Sequence, residues 1–202
     1  ISALITLAGA VAISTDHESY LAAMRKSLRL VLGGGFPGMG DAGPISPRGT
    51  DLDTLAEALA TYVPVVAGAS FMPMIAANLW LAAKVTKMSG RLLRPWPLLA
   101  GTQMPRDAAI LLAVALAGFA ILPGFAGLAC GALLGALVMT FFLTGLATVH
   151  AMTWGKPWRS MALAALYFAV FIILTIALPV LALFGVADSL FNLRKSHPLP
   201  PA

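Results

Sequence analysis

The sequence predicts an all-α protein: a polytopic transmembrane helix bundle with a short amphipathic helix and a Gly/Pro-rich loop. Between Asp107 and Lys156, forty-eight consecutive residues include no Asp, Glu, Lys or Arg, and 58–83 and 160–187 are also uncharged. A soluble amphipathic helix carries charges on its outer face every few residues, whereas about twenty apolar residues cross a bilayer core. The 202 residues are 59% apolar and only 10% charged, against roughly 25% charged in soluble domains. These observations indicate a single membrane domain.

The first sixty-one residues precede the complete spans. Residues 1–13 are apolar or small and predict the end of a span, because thirteen residues make only about 20 Å of helix against a hydrocarbon core of roughly 30 Å. We therefore expect this sequence to be the C-terminal part of a longer chain. In the extramembrane segment 14–61, apolar residues recur every four positions at Tyr20, Met24, Leu28 and Leu32. This period predicts an amphipathic helix over 20–32 that either lies in the membrane interface or packs on the bundle.

A Gly/Pro-rich loop follows at 33–49, with seven Gly and three Pro in seventeen residues. A G-x-G-x-x-G spacing at 33–38 matches a dinucleotide-binding fingerprint in form. That fingerprint joins a strand to a helix, whereas this loop follows a predicted helix and contains Pro37, so we interpret it as a flexible linker. Thr50 and Asp51 then predict the start of the next helix.

Four complete transmembrane spans are predicted within 62–186, at 62–85, 108–122, 125–150 and 160–186. Pro64 and Pro73 predict kinks in the first span, and Pro123-Gly124 predicts the turn between the second and the third. The third span is about 40 Å long as a helix, so it tilts or protrudes. A polar tail is predicted at 187–202.

The basic residues lie mostly in short connections between the apolar spans, as the positive-inside rule describes. The segment 84–106 carries five Lys or Arg and no acid. We place it on the cytoplasmic side, which leaves 14–61 and the tail outside. The positive-inside rule thus accounts for the net charge of +5. Since this charge needs no other explanation, we expect no nucleic-acid partner. The predicted location is the bacterial inner (plasma) membrane, crossed several times.

Polar residues within or at the ends of the spans are the candidate ligand-binding residues. They are a stripe at i, i+4 spacing and two single residues: Thr140, Thr144, Thr148, Asn78 and His150. The stripe could line a polar cavity for a small ligand, or each hydroxyl could bond the carbonyl four residues back. Asn78 could equally hydrogen-bond between helices, and His150 could satisfy an interface at the end of its span.

A second stripe, formed by Gly127, Gly131 and Gly135, indicates close helix packing. Glycines four residues apart share one helix face and let another helix approach. The contact is either within the bundle or at a subunit interface.

Three residues of the 84–106 segment are candidates for contact with lipid headgroups: Arg91, Arg94 and Trp96. Basic side chains next to a membrane attract lipid phosphates, and tryptophan favours the interface. The alternative is that they act only as determinants of topology.

No complete catalytic or metal-binding motif occurs in the sequence. The single cysteine, Cys130, lies in an apolar span, and His17, His150 and His197 are far apart, so no cluster has metal-ligand spacing. The predicted spans also lack the mid-membrane Asp or Glu typical of proton relays. We therefore predict a protein that is not an enzyme, with no catalytic residue, no metal and no cofactor.

Two regions carry a resemblance to a known family. The first holds Asn78-Leu-Trp-Leu-Ala-Ala-Lys84 and Ser89-Gly-Arg-Leu-Leu-Arg-Pro-Trp-Pro97, and the second holds Gly185-Val-Ala-Asp188 and Phe191-Asn-Leu-Arg194. Together they resemble the C-terminal portion of the YybS-like family of bacterial membrane proteins, whose function is unknown. The resemblance implies several further spans upstream and a distant similarity to the substrate-binding components of energy-coupling-factor vitamin transporters. It carries no catalytic residue over to this chain.

The sequence supports two main functional hypotheses. The first is a small-molecule binding or transport component, which predicts an enclosed polar cavity among the spans. The alternative is a structural or accessory subunit of a larger membrane complex, which predicts an interface with other subunits. An enzyme acting on lipid is a third hypothesis, supported only by the basic loops. The expected partners are membrane lipid, other membrane protein subunits and a small-molecule ligand.

Overall fold

The computed structural model describes residues 16–32, 51–91 and 101–196, and within these ranges the chain is all-helical, with six α-helices and no strand. The helices are α1 (His17–Leu32), α2 (Leu52–Met88), α3 (Arg106–Ile121), α4 (Gly124–Met152), α5 (Arg159–Ile172) and α6 (Leu174–Phe191). A short 3-10 helix, Leu193–Ser196, follows α6. The predicted all-α fold class is confirmed. The predictions for 1–13 and for the loop at 33–49 lie outside the described residues.

Three helices in the described part of the chain are long and apolar enough to cross a membrane: Asp53–Met88, Gly124–Met152 and Leu174–Phe191. These helices identify the chain as a membrane protein. Helix α2 stays one continuous helix of 37 residues through Pro64 and Pro73. Helix α3 has 16 residues and is about 24 Å long, shorter than the roughly 30 Å hydrocarbon core.

The apolar stretch predicted as one span at 160–186 is divided into two helices. Ile173 has the non-helical backbone angles φ −127° and ψ 48°. It is both the C-cap residue of α5 and the N-cap residue of α6. The break lies among β-branched residues, Ile172, Ile173, Thr175 and Ile176, which lose side-chain freedom in a helix. Helix α5 has 14 residues and is about 21 Å long. Helix α6, rather than α5, therefore has the length and composition of a span.

Contacts between helices divide the chain into two compact units. The first contains the described residues up to Gly68 together with Ala115–Gly135, and the second contains Ala69–Val114 and the described residues from Ala136 onward. The buried hydrophobic core of the second unit is formed by Phe141, Phe142, Leu181 and Ala182. This core joins the second half of α4 to the middle of α6.

In the first unit, α1 packs on the start of α4. Tyr20 is 3% exposed and forms a small hydrophobic cluster with Leu128. Leu21, Met24 and Phe125 pack against this cluster. Of the two alternatives for the amphipathic helix, the structure thus shows the one in which it packs on a predicted span.

Two ion pairs also join α1 to the start of α2. Arg25 Nη2 lies 2.8 Å from Glu57 Oε1, and Arg29 contacts the Asp53 carboxylate. All four side chains are more than a third exposed, so each pair stabilises the contact by only about 0–1 kcal/mol. The apolar contacts of α1, rather than its charges, hold it in place.

Two glycines let α4 and α6 approach to backbone contact in the second unit. A Cβ atom added to Gly145 would collide with the carbonyl oxygen of Leu181, and one added to Gly185 would collide with that of Phe141. Because Gly145 faces Leu181 while Gly185 faces Phe141, the two helices run antiparallel. This close approach places the end of α6 beside the middle of α4.

Candidate functional site

A buried ion pair joins the end of α6 to the 3-10 helix that follows it. Arg194 Nε lies 2.9 Å from Asp188 Oδ2, and the two side chains are 5% and 0% exposed. Asn192 reverses the chain between them: its φ of 51° lies in the left-handed region, which a short polar residue tolerates. The Asn192 N–H closes α6 by donating to the Asp188 carbonyl oxygen at 2.8 Å. Arg194 thereby returns to the carboxylate six residues before it.

The guanidinium of Arg194 also binds the predicted threonine stripe. Its Nη2 donates to the Thr148 hydroxyl at 2.8 Å and to the Thr144 carbonyl oxygen at 3.3 Å. Thr144 and Thr148 are 3% and 0% exposed, so these bonds are buried in the protein. The structure thus brings two predicted ligand-binding residues together with a charged pair, Asp188 and Arg194, from the predicted polar tail.

Each threonine of the stripe donates to the backbone one turn earlier. The Thr148 hydroxyl donates to Thr144 at 2.8 Å, that of Thr144 to Thr140 at 2.9 Å, and that of Thr140 to Ala136 at 2.7 Å. In each bond the acceptor is the carbonyl four residues back, the local alternative for such residues. Because its proton is directed to its own helix, the Thr148 oxygen serves as an acceptor for Arg194.

The Asp188 carboxylate accepts no hydrogen bond from the part of the chain that the structure describes. Neither Oδ1 nor Oδ2 accepts one of good geometry from the described residues, although Oδ2 contacts Arg194. Burying a carboxylate is costly unless it is paired and hydrogen-bonded, and its two oxygens can accept about four donors. Arg194 offsets the negative charge, while Oδ1 keeps its capacity to accept an N–H or O–H. Asp188 Oδ1 can therefore accept a hydrogen bond, while the net charge of the Asp188–Arg194 pair is zero.

Polar contacts fix the end of α6 next to the segment that precedes α3. The buried Ser189 hydroxyl lies 3.1 Å from the carbonyl oxygens of both Met104 and Pro105. The Gln103 side-chain amide donates to Asn192 Oδ1 at 3.1 Å. These bonds join the turn that carries the ion pair to the segment that precedes α3.

His150 lies on α4 but belongs to a different polar cluster. Its Nε2 is 2.8 Å from the Tyr167 hydroxyl, and Arg159 donates to the His150 carbonyl oxygen at 3.2 Å. Thr148 and His150 are two residues apart, which is about 200° around a helix. The structure therefore does not bring His150 to the threonine stripe.

Asn78 is exposed on α2, so the structure does not gather it with the buried threonines. An exposed amide on a helix that is long and apolar enough to cross a membrane suits a hydrogen bond to a neighbouring helix. Arg91, a candidate for lipid headgroups, is exposed three residues after the end of α2. The other two headgroup candidates, Arg94 and Trp96, lie outside the described residues.

The predicted packing glycines are all buried: Gly127, Gly131 and Gly135. A Cβ atom added to Gly131 would lie 2.9 Å from Phe119 Cδ2 on α3 and 3.3 Å from Val65 Cγ2 on α2. One added to Gly127 would collide with the Leu122 carbonyl oxygen in the turn before α4. At Gly127 and Gly131 the close approach is therefore made by other parts of this chain.

Sequence reasoning missed Asp188 and Arg194 as site residues, although a signal existed. Asp188 is the only acid after Asp107 and stands six residues before Arg194. Asn192, which tolerates the left-handed region, lies between them. An acidic residue followed by a chain reversal and then a basic residue, all at the end of a span, favours a local ion pair. Nothing local predicts the contact with Thr148, 46 residues away.

Comparison with known proteins adds no relative. The chain matches no protein-family model, no curated protein and no solved structure. Within the described ranges, no group of three His, Cys, Asp or Glu side chains is arranged to hold a metal ion. The candidate site is thus defined by its own geometry: a buried Asp188–Arg194 pair docked on Thr144 and Thr148.

Proposed function

We propose that this protein is a non-enzymatic membrane component that binds a small, neutral polar molecule and takes part in its transport. The proposal rests on the buried Asp188 carboxylate, whose Oδ1 accepts no hydrogen bond from the described residues. Buried ionisable groups in membrane proteins are costly and commonly mark substrate or ion pathways. The ligand would donate an N–H or O–H group to Oδ1.

The charge balance favours a neutral ligand over an ionic one. Asp188 and Arg194 offset each other across 2.9 Å, so a charged ligand would bring an uncompensated charge into a buried site. Arg194 already donates to Thr148. We therefore assign acceptance of the ligand's hydrogen bond to Asp188. Arg194 positions Asp188, and the threonines position Arg194.

We also propose that the protein crosses the inner membrane of a bacterium several times, with 84–106 on the cytoplasmic side. The three apolar helices support several crossings. The positive charge of 84–106 supports the orientation. The resemblance to the YybS-like family, with its distant similarity to substrate-binding components of vitamin transporters, supports a role in transport.

The proposal is tested by identifying small molecules that copurify with the protein from native membranes. The parent is compared with Asp188→Asn/Arg194→Gln, which removes both charges at similar side-chain size and leaves neither charge buried alone. Lys26→Gln, at an exposed position of α1, is the matched control. Thermal unfolding in detergent verifies that each variant is folded.

We expect the parent and the control to carry a small molecule with O–H or N–H donors. The double variant should retain at least about tenfold less, because a hydrogen bond to a charged group contributes about 1.5–3 kcal/mol and 1.4 kcal/mol is a factor of ten. Equal retention by all three folded proteins, or no small molecule with the parent, would refute the proposal.

A structural or accessory role in a larger membrane complex is the alternative, and one observation favours it. Only 6% of the most apolar stretch of Asp53–Met88 is buried within the chain. Its second half exposes large apolar side chains: Leu79, Trp80, Leu81, Val85 and Met88. A surface of this kind contacts lipid or another protein. A stoichiometric partner protein without any small molecule, in the same purification, would support this role.

A further inference from the structure

The turn between α4 and α5 exposes side chains of the kind that proteins place at the membrane–water interface. Trp154 and Trp158 are 41% and 49% exposed, and Lys156 between them is exposed as well. Tryptophan is enriched at membrane–water interfaces, where its ring contacts the headgroup region. The turn therefore suits the level of the lipid headgroups.

The charge of this turn is entirely positive. Lys156 and Arg159 are the only Lys or Arg residues between Asp107 and Asp188, an interval without any Asp or Glu. The Arg159 guanidinium stacks on the Trp154 ring at 4.4 Å from its centroid and donates to the His150 carbonyl oxygen at 3.2 Å. One cation is thus held in place, and the exposed Lys156 stands beside it in the same turn. No neighbouring carboxylate in the sequence competes with an anion for these charges.

An open apolar groove of about 870 Å³ lies where α5 meets α6. Its walls are aromatic and aliphatic side chains: Tyr167, Phe168, Val170, Phe171 and Leu174. The Tyr167 hydroxyl is directed to His150 Nε2 at 2.8 Å, which leaves the aromatic ring to the groove. The groove suits a hydrocarbon chain.

His150 links the basic turn to the apolar groove. Arg159 donates to the His150 carbonyl oxygen at 3.2 Å, and Tyr167, which lines the groove, lies with its hydroxyl 2.8 Å from His150 Nε2. The groove therefore begins close to the charges of the turn, as the acyl chains of a phospholipid begin close to its phosphate.

We propose that α5 and the turn before it bind an anionic phospholipid. Its phosphate lies beside Lys156 and Arg159, and one acyl chain occupies the open groove on the second half of α5, where α5 meets α6. The charge of the turn selects the anionic headgroup, while the groove supplies apolar contact for any acyl chain. This site is separate from the Asp188–Arg194 pair and does not depend on the small-molecule proposal.

The test compares binding of phosphatidylglycerol and phosphatidylcholine to the full chain in detergent, measured by native mass spectrometry over a lipid titration. Lys156→Gln removes one exposed charge of the site, and Lys26→Gln removes one exposed charge elsewhere. Phe171→Ser alters a groove residue that is 86% exposed. All three positions are on the surface, so the variants are expected to fold like the parent.

The parent and Lys26→Gln should prefer phosphatidylglycerol to the same extent. In Lys156→Gln this preference should fall about fivefold, the equivalent of roughly 1 kcal/mol for a basic residue near an anionic membrane surface. Phe171→Ser should weaken both lipids alike and leave the preference unchanged. Equal binding of the two lipids by the parent, or an unchanged preference in Lys156→Gln, would overturn the proposal.

A soluble phosphate ester separates a lipid site from a site for free phosphate. Glycerol 3-phosphate carries the anionic group without acyl chains. At the concentration of phosphatidylglycerol that half-saturates the site, we expect an equal concentration of glycerol 3-phosphate to displace none of it. Displacement would assign the turn to soluble phosphate compounds and overturn the lipid proposal.

Discussion

Replacing Arg194 with methionine removes the positive side of the buried ion pair while keeping a long side chain. Asp188, whose side chain is 0% exposed, would lose the guanidinium 2.9 Å away, and Thr148 would lose the donor at 2.8 Å. Removing one partner of a buried pair costs about 3–5 kcal/mol. With the side chains 5% and 0% exposed, solvent does not screen this loss. We therefore expect Arg194→Met to lower the free energy of unfolding by about 3–5 kcal/mol.

Reversible unfolding in mixed micelles, with increasing denaturing detergent, measures this loss. Asp188→Leu/Arg194→Met removes both charges and should recover most of it, because replacing a buried pair by apolar residues is often neutral. Arg194→Lys keeps the charge but not the planar fork that reaches Thr148, so its loss should be intermediate. Lys26→Met at the exposed position should change stability by less than about 0.5 kcal/mol. A loss in Arg194→Met as small as in Lys26→Met would refute the burial of the pair.

Substitutions at helix contacts and in loops test the packing and the orientation. Gly185→Ala should destabilise the protein by about 1–3 kcal/mol, because the added carbon meets backbone atoms of Phe141 and Gly145; unfolding at the parent's temperature would contradict this contact. Gly131→Leu should reduce the yield of monodisperse protein, since Phe119 already fills the space; a parental elution profile would count against it. In a Cys130→Ala background, a cysteine at Ser89 should resist an impermeant thiol reagent added to intact cells, and one at Ser46 should react. The opposite labelling would invert the orientation.

The membrane class and the course of most helices were predictable from the sequence alone, because hydropathy and helical period are local properties. The uncharged stretches 58–83 and 108–155 contain most of α2, α3 and α4. The i, i+4 spacing of Thr140, Thr144 and Thr148 likewise indicated the hydroxyl–carbonyl bonds that the structure contains. Each of these features depends only on residues within one or two helical turns.

Only the tertiary structure decided which polar residues meet. Thr148 and Arg194 are 46 residues apart, and their contact requires the antiparallel docking of α6 on α4 and the left-handed turn at Asn192. The break at Ile173 could not be predicted from the sequence either, because the hydropathy of an apolar stretch is the same whether it folds as one helix or as two. A buried charge is tolerated only where helix packing brings an oppositely charged partner into contact with it. The location of the candidate site is therefore a property of the fold rather than of any local sequence pattern.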